Sequence, residues 1–455
     1  MDDLRRQVEE LLARVSELER ENAELRTRNA ELEAERKRWG KKYTPKANAK
    51  NRAKKTPDLR KPPHRKHPGV FRKPAVADEK TIHHDVRLEC CPHCGCEDLE
   101  ETGRFDDHLV EDIPEPTVER HRYRRHVQKC RDCGRTCQGR GDLELPGAHI
   151  GPRARLLAGY GRAHLGISLK KTDDLLWQLF GMDLSRAGTL GHIRWGAALF
   201  DPVVEKLFEI LRASAVIHAD ETGWRIDGKN VWVWCFSNPR LALFLIDHHR
   251  SADVVRRALG DSLPGVLVTD FYAAYHAIEC RKQKCLVHLL RDLHALREEL
   301  SRHHVTKYVQ PLITLLQDAI QLAKIKSTMS GRKYKAACRE IETRLETILW
   351  QKPKQPDCQR INKRLVRHRF ELLVFLEHAD VPADNNTGER DIRSVVAARN
   401  DGGVNRSDWG AAAFATWKSV IRTCQKKSLN FLEYGLSVLR ARAADTPLPL
   451  PLDSG

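Results

Sequence analysis

No run of apolar residues in this 455-residue chain is long enough to span a bilayer, which argues against a membrane helix. The N-terminal stretch does not read as a secretory signal either: it is acidic and repeats every seven residues, without a cationic and then apolar pattern. A cytoplasmic protein with no membrane partner is therefore expected. Acids are scarce where bases abound, and between residues 36 and 74 Asp58 is the only carboxylate. Over the whole chain 79 Lys and Arg outnumber 62 Asp and Glu, giving a net charge of +17. An excess of that size favours a polyanionic partner, most often nucleic acid. An even set of cysteines is lacking too: there are thirteen, and seven of them crowd between residues 90 and 137. In a cytoplasmic chain that pattern speaks against a disulfide framework and for metal ligands or free thiols.

What is present divides the chain into a multidomain α+β arrangement. Residues 1–38 carry Leu4, Leu11, Leu18, Leu25 and Leu32 at heptad spacing, with Val8, Val15, Asn22 and Asn29 at the other core position. Valine opposite leucine favours two parallel strands, and a buried asparagine fixes their register. Arg14 with Glu19, Glu21 with Arg26, and Arg28 with Glu33 then pair across a parallel coiled coil, so a homodimer or larger assembly is expected. Residues 39–80 read as a basic linker, serving either to wrap DNA phosphates or as a solvated spacer.

Residues 81–148 hold two knuckles, Cys91-Pro-His-Cys94-Gly and Cys130-Arg-Asp-Cys133-Gly. This spacing predicts a zinc ribbon with Zn²⁺ on Cys91, Cys94, Cys130 and Cys133. Cys90, Cys96 and Cys137 are nearby competitors for the ligand set. The alternating stretch 117–123 suits a hairpin between the knuckles. Whether the ribbon touches DNA or only stabilises the fold is open. Residues 149–211 read as helices: an amphipathic one from Ser168 to Phe180 ends at Gly181, and Ser185 caps the next. Either a helix-turn-helix or an ordinary helical hairpin fits.

Residues 212–440 alternate strands and helices. Strands are expected at 215–219, 231–236, 241–246 and 266–269, with a turn at Asp227-Gly228 and a capped helix from Ser251. Three hairpin-linked strands, a helix and a further strand is the order of an RNase H-like (α/β) core, here split by a helical insertion at about 289–380. Trp232 and Trp234 read as core or sheet-face residues. Residues 441–455 are a tail. Asp220 follows the first strand, Asp270 the last, and Glu389 opens a later helix. Carboxylates so placed can converge on Mg²⁺ or Mn²⁺, hard cations that take oxygen ligands and leave positions open for water and phosphate. Two such ions about 4 Å apart promote in-line attack on phosphodiesters.

The motifs resemble the DDE transposases of the insertion-sequence-66 type, nearly end to end. His218-Ala-Asp220-Glu-Thr-Gly-Trp224 matches that family's first-acid motif, and Thr269-Asp270-Phe-Tyr-Ala-Ala-Tyr275 its second. Pro382-Ala-Asp384-Asn385-Asn386-Thr-Gly-Glu389-Arg390 matches its third, continued by Gly403-Val-Asn-Arg406-Ser407-Asp-Trp-Gly410. The resemblance implies that Asp220, Asp270 and Glu389 are the catalytic triad, preferred over Glu221 and Asp384. It also implies that water and then a freed 3′ hydroxyl attack phosphodiesters at the mobile element's ends and in target DNA. Double-stranded DNA, nucleoid association in a prokaryotic cell and accessory element-encoded proteins belong to the same implication. Two positions depart from the pattern: Asn400 stands where the family often has lysine, and Cys285-Leu-Val-His288 lacks the usual aromatic. His288 is a candidate for orienting the scissile phosphate or binding metal. Tyr272 and Tyr275 are candidates for stacking on a DNA end or for core packing. Two other functions stay open on the residues alone: a non-enzymatic zinc-ribbon DNA-binding regulator, and an RNase H-like nuclease without strand transfer.

Overall fold

The structure, a computed structural model, describes residues 17–25, 27, 31 and 76–452 except Lys80, Glu101, Pro114 and Pro146. The coiled coil expected over 1–38 and the linker over 39–80 lie mostly outside the described residues; residues 17–25, 27 and 31 are helical, with Leu18 and Leu25 exposed. The chain forms two compact units, residues 1–112 and 113–455. In the first, Cys91–Cys94 makes a tight turn: the Cys91 amide donates to the Cys96 carbonyl and the Gly95 amide to the Cys91 carbonyl, each at 2.8 Å. Gly95 sits at φ 75°, a left-handed conformation that glycine adopts without strain.

The second unit opens with the other knuckle. Cys130–Cys133 lies between β1 (Val127–Lys129) and β2 (Thr136–Gln138), an antiparallel pair. The hairpin expected at 117–123 is thus found one segment later. Residues 117–123 alternate but have no partner strand, and alternation alone does not make a ladder.

Three helices follow: α1 (Pro152–Ala163), α2 (Leu169–Phe180) and α3 (Arg186–Arg212). Ser168 caps α2 and Gly181 ends it in the left-handed conformation, as the sequence predicts. Ser185 caps α3, which is 27 residues long, far longer than a recognition helix needs. Its Phe200, Val203, Leu207 and Leu211 are fully buried, so most of it serves the core.

The sheet has the order β5-β4-β3-β6-β7. β3 (Val216–Ile226), β4 (Lys229–Ser237) and β5 (Ala242–Asp247) form antiparallel hairpins. After α4 (Ala252–Leu259), β6 (Ser262–Thr269) pairs with β3 in parallel, and β7 (Glu279–Lys284) pairs with β6 in parallel. Asp227 and Gly228 both take positive φ, the geometry that a two-residue hairpin turn requires. The central strands read as continuous apolar runs because both faces are covered. Ile217, Ala219 and Leu267 face one cluster, whereas Val216, Val266 and Val268 face another.

The first cluster joins the sheet to α1, α3, α10 (Asp408–Lys426) and α11 (Phe431–Ala443). Trp417 is its centre; the indole N–H donates to the Ile193 carbonyl at 2.9 Å. Gly159 and Gly196 flank that ring so closely that a Cβ on either would run into it. The second cluster is built by the insertion: α5 (Leu286–Glu299), α6 (Gln310–Lys324), α7 (Gly331–Leu349) and α8 (Pro356–Arg367). The insertion starts at Leu286, directly after β7, and packs against the sheet face rather than projecting from it. The chain returns at α9 (Asn386–Gly402).

Candidate active site

Asp220 is the fifth residue of β3, not a residue after its end as the sequence pattern suggested. Its position still has the expected logic. β3 and β6 pair only from Val216 to His218 against Val266 to Val268, so Asp220 lies just beyond the carboxyl end of the parallel pairing. Asp270 follows Thr269, the last residue of β6. Lys284, wholly buried on β7, donates to the Thr269 hydroxyl and the Asp270 carbonyl, each at 3.0 Å. The Asp270 carboxylate accepts the Tyr272 amide at 2.8 Å. Glu389 stands in the first turn of α9, where its amide donates to the Asn385 carbonyl at 3.0 Å.

These acids come together. Burial pushes the Asp220 carboxyl up to about 8, and the neighbouring carboxylates of Glu221, Asp270 and Glu389 add to the effect. Glu221 is also raised by burial but is spoken for: Arg250 holds one oxygen, with Nε at 3.1 Å, and the buried Tyr275 hydroxyl holds the other. Asp384 uses its carboxylate to accept the Asn386 amide at 2.9 Å, turning the chain into α9. Glu389 differs, because its Oε1 is buried without a hydrogen-bond partner. An orphaned carboxylate oxygen beside crowded acids is the situation a divalent cation relieves, so the residues fit one.

His288 Nδ1, on the first turn of α5, lies 3.7 Å from Glu389 Oε1, and Arg393 reaches the other oxygen at 3.5 Å. Cys285, His288 and Glu389 each offer a ligand atom within 4.8 Å of one another. The Cys285 thiol is buried and its ionisation is pushed up by that burial; it accepts the Asn385 amide at 3.2 Å. Tyr275 is fully buried and belongs to the core. Tyr272 is half-buried beneath the Arg250 guanidinium, 4.0 Å from its ring centroid, with Trp232 4.6 Å from the same group. Trp234 is core, as expected.

Several positioning residues lie in or beside the third motif, but the sequence assigns them no role. Asn385 bonds Ala219 and His218 on β3 as well as Cys285. Arg399 donates to the Gly223 carbonyl, and Asn405 accepts the Trp224 indole N–H at 3.0 Å, so α9 and the loop after it brace β3.

The cysteine knuckles sit in separate units, Cys91 and Cys94 in the first and Cys130 and Cys133 in the second. The amides of His93 and Cys94 hold the Cys91 thiol below its ordinary value, and those of Cys133 and Asp132 do the same for Cys130. Amides aimed at sulfur favour the thiolate that zinc binds, so each knuckle's chemistry suits that metal.

The family model for "Transposase IS66 family" matches residues 152–413. A 78-residue stretch is 37% identical to "Uncharacterized protein y4jO" of Sinorhizobium fredii (strain NBRC 101917 / NGR234), covering 17% of this chain and 24% of that one. From the same organism, "Uncharacterized protein y4qI" is 22% identical over 295 residues, 56% of this chain and 52% of its own. "Uncharacterized protein y4jD" is 24% identical over 283 residues, 55% of each chain. The chain thus spans at most about half the length of these curated relatives. With the family match running from α1 into α10, over more than half of its length, the chain belongs to the IS66 family of transposases.

Proposed function

We propose that the chain is a DDE transposase that hydrolyses phosphodiesters at the ends of its mobile element and transfers the freed 3′ hydroxyls to target DNA. Asp220, Asp270 and Glu389 are its catalytic triad, on an RNase H-like core formed within residues 212–440. The observation carrying this reading is the convergence of acids from three distant segments, with Asp220 pushed to about 8 and Glu389 Oε1 left unpartnered. The strand order, three antiparallel strands and then two parallel ones on the far side of β3, supports the same core.

Asp220, Asp270 and Glu389 would hold Mg²⁺ or Mn²⁺, which supplies charge neutralisation at the attacked phosphate and lowers the pKa of the attacking oxygen. The rest falls to the chain. Arg250 and Tyr275 keep Glu221 out of the ligand set, so Asp220 faces the substrate alone on β3. His288, 3.7 Å from Glu389, orients that carboxylate or the scissile phosphate. In the first step water attacks phosphorus and the P–O3′ bond breaks, leaving a 3′ hydroxyl on the element and a 5′ phosphate on the flank. In the second, that hydroxyl attacks a target phosphodiester and displaces a new 3′ oxygen, which takes up a proton; no protein–DNA bond forms.

Around this core, residues 1–38 act as a parallel coiled coil that pairs two chains on two element ends. Residues 39–80 are a basic linker, residues 81–148 a zinc-binding domain and residues 149–211 a helical DNA-binding region. The setting is the cytoplasm of a prokaryotic cell, at the nucleoid. Purified protein, Mg²⁺ and DNA carrying the element's inverted ends should give end-specific 3′ nicks and joined products. Full joining by Asp220→Asn would show the triad assignment to be wrong.

A further inference from the structure

A cleft of about 930 Å³ opens far from the acids, beside the β3–β4 turn at Asp227 and Gly228. From Asp220 to that turn β3 runs about 20 Å, at roughly 3.3 Å per residue. Four cations line the cleft, Arg162, Lys170, Arg186 and Arg406, against the single acid Asp227. Arg162 is committed to the fold, donating to the Gly402 carbonyl at 2.8 Å. Lys170, Arg186 and Arg406 are exposed and make no ion pair or side-chain hydrogen bond among the described residues. Three capped helix N-termini also contribute to the lining: Ser168 of α2, Arg186 of α3 and Ser407 of α10. Their amides and dipoles add to the anion preference that the side chains establish. Between these groups the lining is apolar and aromatic, with Leu190, Trp409 and Phe414. Arg194, outside the lining, holds the Trp409 indole in place with its guanidinium 4.5 Å from the ring centroid.

We propose that this cleft receives an unstacked nucleotide of the bound DNA, its phosphates on Lys170, Arg186 and Arg406 and its base against Leu190 and Trp409. A duplex is too wide to enter a space of this size, whereas a single nucleotide fits. The cationic surround suits the backbone, and the apolar lining suits a base face that has left its stack. This inference rests on DNA being the partner of the transposase, but not on the chemistry assigned to the acids.

The test is fluorescence anisotropy of the full chain with a short labelled duplex carrying an element end, titrated between roughly 50 and 200 mM salt. The Lys170→Glu/Arg186→Glu variant should bind at least about tenfold more weakly, with a salt slope flattened by about two. Lys170→Arg/Arg186→Lys should bind like the wild type, and unfolding curves should coincide for all three. In parallel, 2-aminopurine placed position by position along the end should brighten at one site with wild-type protein and stay dark with the Glu variant. Unchanged affinity and slope would overturn the cleft as a DNA site. Weaker binding with no brightening position would overturn the extruded nucleotide. Mg²⁺-dependent nicking is scored separately: cleft-dependent binding without nicking would sink the strand-transfer reading and leave this one standing.

Discussion

The Asn385 amide oxygen lies 2.9 Å from His218 Nδ1, joining residues 167 positions apart in a buried hydrogen bond. The same side chain donates to the Ala219 carbonyl at 2.9 Å, and its backbone amide reaches the Cys285 sulfur. One asparagine thus ties the strand bearing Asp220, the start of the insertion and the helix bearing Glu389.

Asn385→Ala should therefore cost about 1–3 kcal/mol, because buried polar partners on β3 lose their hydrogen bonds. Cleavage should fall further than stability predicts, since Glu389 is no longer held to β3. A denaturant midpoint measured with the nicking rate on one preparation checks this; an unchanged rate would deny Asn385 a positioning role.

Asp220→Asn should stabilise the metal-free protein, because it removes a buried carboxyl crowded by Glu221, Asp270 and Glu389. Mg²⁺ should raise the Tm of the wild type, and the same change should remove that rise. Thermal scans with and without Mg²⁺ read both effects, and an intact Mg²⁺ response in the variant would place the ion elsewhere.

Lys418 is buried on α10 with its ammonium unpartnered, and burial beside Arg422 pushes its pKa down to about 8. A depressed folded pKa means that stability is fully present above the unfolded value near 10.5 and is lost as pH falls through 8. Lys418→Met should raise stability at pH 7 by about 1–3 kcal/mol and flatten the rise between pH 8 and 10.5. Parallel pH profiles for the two proteins would expose an error here.

Gly196→Ala should destabilise by about 1–3 kcal/mol or more, since the new methyl meets the Trp417 ring. Gly191→Ala, on the same helix with open space around it, should be neutral or mildly stabilising. Equal Tm values for the two variants would contradict the packing described around Trp417.

Reduced protein after gel filtration should carry about one zinc per chain, and Cys130→Ser should lose it. Metal analysis that finds no zinc in the wild type removes the ribbon.

Much of this was legible in the sequence because the signals are local. The Asp227-Gly228 turn, the Ser168, Ser185 and Ser251 helix starts, the Gly181 stop and four of the five strands of the larger sheet depend on conformational preferences within a few residues. The three acids were legible because each lies in a motif of its own. β7 was not, since Glu279-Cys-Arg-Lys-Gln-Lys284 offers no apolar run; its lysine and glutamine are buried because Thr269, Asp270, Leu372 and Phe375 supply partners that no local pattern can reveal. Sequence also placed Asp220 after a strand, whereas pairing with β4 extends β3 to Ile226 and leaves the acid inside it. By itself, then, the sequence determined the local structure and the basic character, which follow from short-range sterics and charge, and it singled out the acids as candidates through their motifs. Only the tertiary structure decided which of two adjacent acids is tied up by other side chains. Glu221 and Asp220 are neighbours of the same kind, and what separates them is Tyr275 and Arg250, brought to Glu221 from elsewhere in the chain by packing.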